Sequence, residues 1–251
     1  MKQCQRLIAF ACLLLCAAHA SAQTTVFDEK FFGFGDALNG KTPDTTTGGE
    51  VWQAGPVWGD DGIHFSPTVG QQAAYLGYTP EPGRVYTLST RVRSGHPNAF
   101  GFGFMPSATE LDPTADTHAT AAAYAWIAIA NSLGQDQQGF LGPGATLSQP
   151  WNGDVVDPTL YADLDILLNT AGPNWTVQWL INNSPLGVPV AFAAPGNPGI
   201  AGVGMSRETD PDTSGSFVET SYFRLTYTVV PEPGTMAVLA LGGWMLVRRR
   251  R

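Results

Sequence analysis

An all-β sandwich or barrel is the fold class this sequence predicts, on three observations. Short aromatic and β-branched runs recur between clusters of Gly, Pro, Thr, Asn and Asp, the arrangement of strands between tight turns. Residues 85–93 and 217–230 alternate apolar with polar side chains, so each reads as a strand with one wet face. No long amphipathic helix competes with them, and no fixed-period repeat or long linker divides the chain.

Taken in order, residues 26–35 supply an edge strand and residues 39–49 a loop. Strands follow at 51–57 and 63–68, joined by the turn Gly59-Asp60-Asp61-Gly62, and at 73–78, closed by Thr79-Pro80-Glu81-Pro82-Gly83. In 85–93, Tyr86, Leu88, Thr90 and Val92 share one face. Phe100, Phe102 and Phe104 then alternate with Gly101 and Gly103, leaving a bare face that serves close packing or the approach of a ligand. Residues 106–120 read as a polar loop. The alanine-rich run 121–130 favours helix by composition, but Tyr124, Trp126, Ile127 and Ile129 make it a strand. Further strands are expected at 163–168 and at 175–181, where Trp175, Val177, Trp179 and Ile181 point one way and build the core. Asn182-Asn183 is a turn, 188–192 and 200–205 are short strands, and 217–230 closes the fold.

Both ends of the chain are set apart by composition. Residues 1–22 read as a secretory signal helix: Lys2 and Arg6 lead an apolar run, and the small residues Ala20 and Ala22 frame a cleavage site. A lipoprotein signal ending at Cys16 is the rival reading, and Leu15 is too bulky for it. Cys4, Cys12 and Cys16 all leave with this segment, so the mature chain has neither disulfides nor thiolate chemistry. At the other end Pro231-Glu232-Pro233 stands extended, because two prolines fix φ and remove two donors. The uncharged residues 235–247 then form a short membrane helix, and Arg248, Arg249, Arg250 and Arg251 stop it at the cytoplasmic headgroups. Between these ends lies one domain, residues 23–230.

That domain holds 20 of the 21 acidic residues but only 7 of the 13 basic ones, a net charge of −13. Such a surface repels nucleic acid and anionic lipid, keeps an exported protein soluble, and attracts cations.

The ordered tail, with motif 231–233, apolar helix 235–247 and basic end 248–251, resembles the PEP-CTERM sorting signal. That resemblance implies an exosortase-type membrane enzyme as partner, transient anchoring in the inner membrane, and delivery to the cell surface or extracellular matrix. Pro231, Glu232 and Pro233 would then be recognition residues of a substrate. The order of strands around 84–92, 100–104, 175–183 and 221–228 is similar to the jelly-roll sandwich of concanavalin-like and laminin-G-like domains. Their members imply carbohydrate binding, sometimes with calcium, and in some cases glycosidase activity; fold alone does not choose among these.

The residues themselves favour a non-enzymatic, lectin-like role. The nearest match to a Glu-x-Asp-x-x-Glu glycosidase strand, Glu110-Leu111-Asp112-Pro113-Thr114-Ala115, lacks its third carboxylate and carries a proline. His64, His96 and His118 are scattered singly, and no Gly-x-Ser-x-Gly elbow occurs. Catalytic residues are therefore expected to be none. For glycan binding Trp52, Trp58, Tyr75, Tyr78, Trp151 and Tyr222 are available, and Trp151 is best placed because Pro150 and Asn152-Gly153 set it in a loop. No cofactor is expected. Structural calcium has Asp163 and Asp165, on one strand face, as its candidates; turn-forming aspartates are the competing reading for all the acidic pairs.

Overall fold

The structure, a computed structural model, describes residues 22–55, 58–65, 72–94, 98–105, 125–132, 135–141, 151–152, 160–209 and 217–230. Ala20, Pro231, Glu232, Pro233, Arg248, Arg249, Arg250 and Arg251 lie outside them, as do both expected terminal helices, the 106–120 loop and the Glu110 to Ala115 segment. Among the described residues all regular structure is strand, and no helix is long and apolar enough to cross a membrane, which says nothing of a β-barrel.

The strands are β1 (Thr24–Glu29), β2 (Thr45–Thr46), β3 (Gln53–Ala54), β4 (Ile63–Phe65), β5 (Gln72–Gly77), β6 (Arg84–Ser94), β7 (Asn98–Met105) and β8 (Ala125–Ser132). There follow β9 (Gln135–Leu141), β10 (Trp151–Asn152), β11 (Ala162–Asn169), β12 (Thr176–Ile181), β13 (Ser184–Ala191), β14 (Gly202–Thr209) and β15 (Phe217–Val229). They form two antiparallel sheets. The first runs β13-β12-β11-β6-β15-β1-β2, with β4 also on β15, and the second runs β10-β9-β8-β7-β14-β5-β3. Consecutive strands change sheet at β5, β6 and β7 and again at β13, β14 and β15, so strands distant in sequence pair at the centre of each layer.

Alternation explains which faces meet. Tyr86, Leu88, Thr90 and Val92 of β6, Leu164, Ile166 and Leu168 of β11, and Val177, Trp179 and Ile181 of β12 are all buried, while their neighbours look outward. The opposing sheet contributes Phe100, Phe102 and Phe104. Phe223 of β15 joins the layers: it stacks on Phe27 (ring centroids 5.8 Å, interplanar 6°) and meets Trp52 at 5.4 Å and Phe102 edge-on at 6.4 Å. Each such ring contributes about 1.5–3 kcal/mol on burial. Asn182 and Asn183 take φ of 50° and 64°, the left-handed pair that turns β12 into β13 with the strands' own twist. At the end of β15 the Val230 N–H donates to Gly83 O at 2.9 Å.

Several expectations are corrected. Residues 39–49 are not all loop, because Thr45 and Thr46 pair with Asp28 and Phe27 and cover the outer edge of β1 there. Of the strand expected over 51–57, the described residues 51–55 are strand only at Gln53–Ala54; the Trp52 amide instead bonds Lys41 O at 2.8 Å, which turns its indole into the core. β13 starts earlier than expected, directly from the asparagine turn, and its exposed Pro185 and Pro189 suit an edge strand. Trp151 is not in a loop: it opens β10, opposite Gln138 at the edge of the second sheet. The bare glycine face is used for close packing where it continues into β14. A Cβ on Gly202 would overlap the Tyr75 ring, whose hydroxyl donates to Ala201 O at 2.8 Å.

Candidate functional site

The chain leaving β1 builds a braced platform. Phe31 follows Glu29 by two residues and takes φ of 52°, so the backbone reverses there instead of extending the strand. Its ring is buried against Trp52, 6.4 Å between centroids, and its amide donates to Glu29 Oε1 at 3.2 Å. The reversal sends the next two aromatic rings the other way: Phe32 is 81% exposed and Phe34 100% exposed.

Asp60, from the turn before β4, holds that loop. Its carbonyl accepts the Gly33 N–H at 2.8 Å, its Oδ1 accepts the Gly35 N–H at 2.9 Å, and its own N–H donates to Asp36 O at 2.9 Å. Gly33 is required at this point because a Cβ there would overlap the Asp60 carboxylate. Lys41 pairs with Asp60 and stands 3.6 Å from Asp36. Burial alone would push the Asp60 carboxyl up, but the Lys41 ammonium and the Gly35 amide outweigh it and hold the group below its ordinary value. The Asp60 side chain is 14% exposed while Asp36 is 79% exposed. Beneath the loop Leu38, Trp52 and Trp58 are buried and belong to the hydrophobic core shared by the two sheets. The result is two solvent-facing rings on a hydrogen-bonded loop, with Asp36 in the same loop and Asp61 in the turn that faces it.

A second polar array covers the outer face of the first sheet. Arg224 grips Asp28 with two bonds of 2.9 and 3.1 Å. Arg93 Nε donates to Glu219 at 2.6 Å, Tyr161 bonds the same carboxylate, and Arg91 and Arg93 lie over the Tyr161 ring at 5.2 and 5.0 Å. Burial, helped by Asp163 and Asp165, pushes the Tyr222 hydroxyl up to about 12.

Asp163 and Asp165 do share this face, as the strand period requires, with Arg91 and Ser89 as their β6 partners. Asp163 lies 3.9 Å from the Arg91 guanidinium, and Asp165 accepts the Ser89 hydroxyl. Burial raises the Asp165 carboxyl above its ordinary value. Calcium takes about six to eight oxygens, whereas this pair has a guanidinium as its neighbour. Among the described residues no group of three or more His, Cys, Asp or Glu is placed to hold a metal ion.

Of the rings offered by sequence, Trp52, Trp58 and Tyr75 are core residues. Tyr78 and Tyr222 are half-buried. Phe32 and Phe34 were missed by sequence reasoning, which ran one strand through residues 26–35. The available signal was the adjacency of Phe31 and Phe32: two neighbouring rings cannot both enter one side of a strand.

No family model and no curated protein sequence matches the chain. Among solved structures it is similar to the metal-free Emp46p carbohydrate recognition domain, at 13% identity and TM-score 0.47 over 69% of this chain and 87% of that one. It is also similar to an endo-1,3-beta-glucanase from Streptomyces sioyaensis, at 10% identity and TM-score 0.49 over 83% and 97% of the two chains. A Lotus tetragonolobus seed lectin is similar at 14% identity and TM-score 0.45 over 85% and 100%.

Proposed function

We propose that this chain is an exported, non-enzymatic surface or extracellular-matrix protein whose jelly-roll β-sandwich associates with polysaccharide, and that its tail is a sorting tag read by an exosortase-type enzyme. The observation that carries the sorting part is how the described fold leads up to the tail. β15 is the longest strand among the described residues and sits inside the first sheet, and just past its end the Val230 N–H bonds Gly83 O, one residue before Pro231. A cut within the tag therefore leaves β15 and its pairing intact.

The non-enzymatic part is supported by the state of the carboxylates. Glycoside hydrolysis needs one carboxylic acid and one available carboxylate across a shared cleft. On the described sheet faces Asp28, Asp163 and Glu219 are each engaged by arginine, and Asp165 by Ser89. The acidic domain disfavours nucleic acid and anionic lipid as partners.

Replacing Pro231, Glu232 and Pro233 with alanine is the test. The variant is expected to accumulate in the inner membrane at full length, while the parent chain is processed and released. Equal processing and release of both would remove the sorting assignment.

A further inference from the structure

Phe32 and Phe34 stand on a loop joined to Asp60 by four backbone or side-chain bonds, yet both rings face water. A solvated pair of rings on a hydrogen-bonded loop is an exposed apolar surface. Two features say what covers it.

The first is position. β1 pairs antiparallel with β15, Thr24 opposite Tyr227 and Glu29 opposite Phe223, and the Gln23 side chain bonds Thr226 at 2.8 Å. The described chain therefore begins and ends at one end of the sandwich. Gly62 accepts the Thr220 N–H at 2.8 Å, which sets the Asp60 turn level with Thr220, about 30 Å along β15 from Val229 at ~3.3 Å per residue. The rings therefore stand toward the end of the sandwich opposite Val230.

The second is chemistry. Asp36, Asp60 and Asp61 outnumber Lys30 and Lys41 around the loop that carries the rings, and the Asp61 carboxylate comes within 3.3 Å of the place a Gly35 Cβ would take. Carboxylates accept hydrogen bonds from hydroxyls and repel acidic polymers. Flat apolar rings beside such acceptors match a sugar ring, which has an apolar face and a rim of hydroxyl donors.

We infer that Phe32 and Phe34 are a stacking contact for the pyranose faces of a neutral polysaccharide, with Asp36 and Asp61 accepting its hydroxyls. This rests on the polysaccharide-associated reading above and names the contact and its ligand class.

The full chain in detergent, as wild type, F32A/F34A, F32Y/F34Y and V188A, is equilibrated with insoluble β-1,3-glucan, amorphous cellulose, calcium-alginate beads and phosphatidylethanolamine vesicles. Wild type is expected to bind one or both neutral glucans in preference to alginate, and F32A/F34A to bind about tenfold more weakly or worse. F32Y/F34Y keeps the rings and should retain binding; V188A removes a 77% exposed side chain elsewhere and should change nothing. Glucan binding by F32A/F34A equal to wild type overturns the contact and leaves the polysaccharide reading standing. Wild type that binds no polysaccharide overturns both. A vesicle deficit in F32A/F34A with unchanged glucan binding assigns the rings to lipid and overturns the contact.

Discussion

The Glu29 carboxylate accepts the Trp52 indole N–H at 3.1 Å, with both side chains withdrawn from solvent. The same carboxylate takes the Phe31 amide, so one group fixes both the buried indole and the reversal that turns Phe32 outward. Burial raises the Glu29 carboxyl above its ordinary value of 4.5, against the opposing effect of these two bonds.

Folded Glu29 therefore holds its proton more tightly than unfolded Glu29, and between the two pKa values stability falls as pH rises. The loss begins near the ordinary value and is complete above the raised one. Thermal melts of wild type and Glu29→Gln from about pH 4.5 to about pH 7.5 isolate this group from the general acidity of the domain. The wild-type Tm is expected to drop relative to the variant as pH increases; a difference that is flat or of opposite slope contradicts the assignment.

Phe223 touches rings from both sheets. Phe223→Ala should cost about 3–5 kcal/mol in chemical denaturation, since it removes a ring and leaves a cavity between the layers. At about 2–4 °C per kcal/mol for a domain of this size, the melt should fall by roughly 6–20 °C.

At the β12–β13 turn, Asn183 holds φ of 64° and Asn182 bonds the Asp163 amide through its side chain at 3.0 Å. Asn183→Gly should keep or raise stability, and Asn183→Ala should lower it by about 1 kcal/mol, because a Cβ without a local polar partner disfavours the left-handed region. Paired denaturation curves give the sign directly.

Gly33→Ala would push a methyl group into the Asp60 carboxylate. The expected outcome is loss of the Asp60 bond to the Gly35 amide, read as faster hydrogen exchange at that amide while the β6 and β15 amides keep their protection. A Gly35 amide that exchanges at the parental rate would mean Asp60 does not brace the loop.

How much of this was legible depends on how each residue meets the period of its strand. β6, β12 and β15 were readable because Tyr86, Leu88 and Val92, or Val177, Trp179 and Ile181, recur at every second position and their faces are buried accordingly. The Asn182-Asn183 turn was readable because asparagine tolerates positive φ. Trp52 and Trp58 were not, since an indole reads alike as core or surface until its backbone partners are known, and Trp52 is turned inward by a bond to Lys41, 11 positions earlier. Phe32 and Phe34 escaped for a related reason: the reversal at Phe31 depends on Glu29, Trp52 and Asp60, and the last two come from distant turns of the chain. Trp151 was assigned to a loop on its Pro and Gly neighbours, and the pairing with β9 that makes it a strand residue is non-local.

The most direct measurement is the intact mass of the protein recovered outside the inner membrane. A chain that ends between Glu232 and Thr235, without the arginines at 248–251, is the predicted result. Recovery at the cell surface with Arg251 still attached would contradict the account.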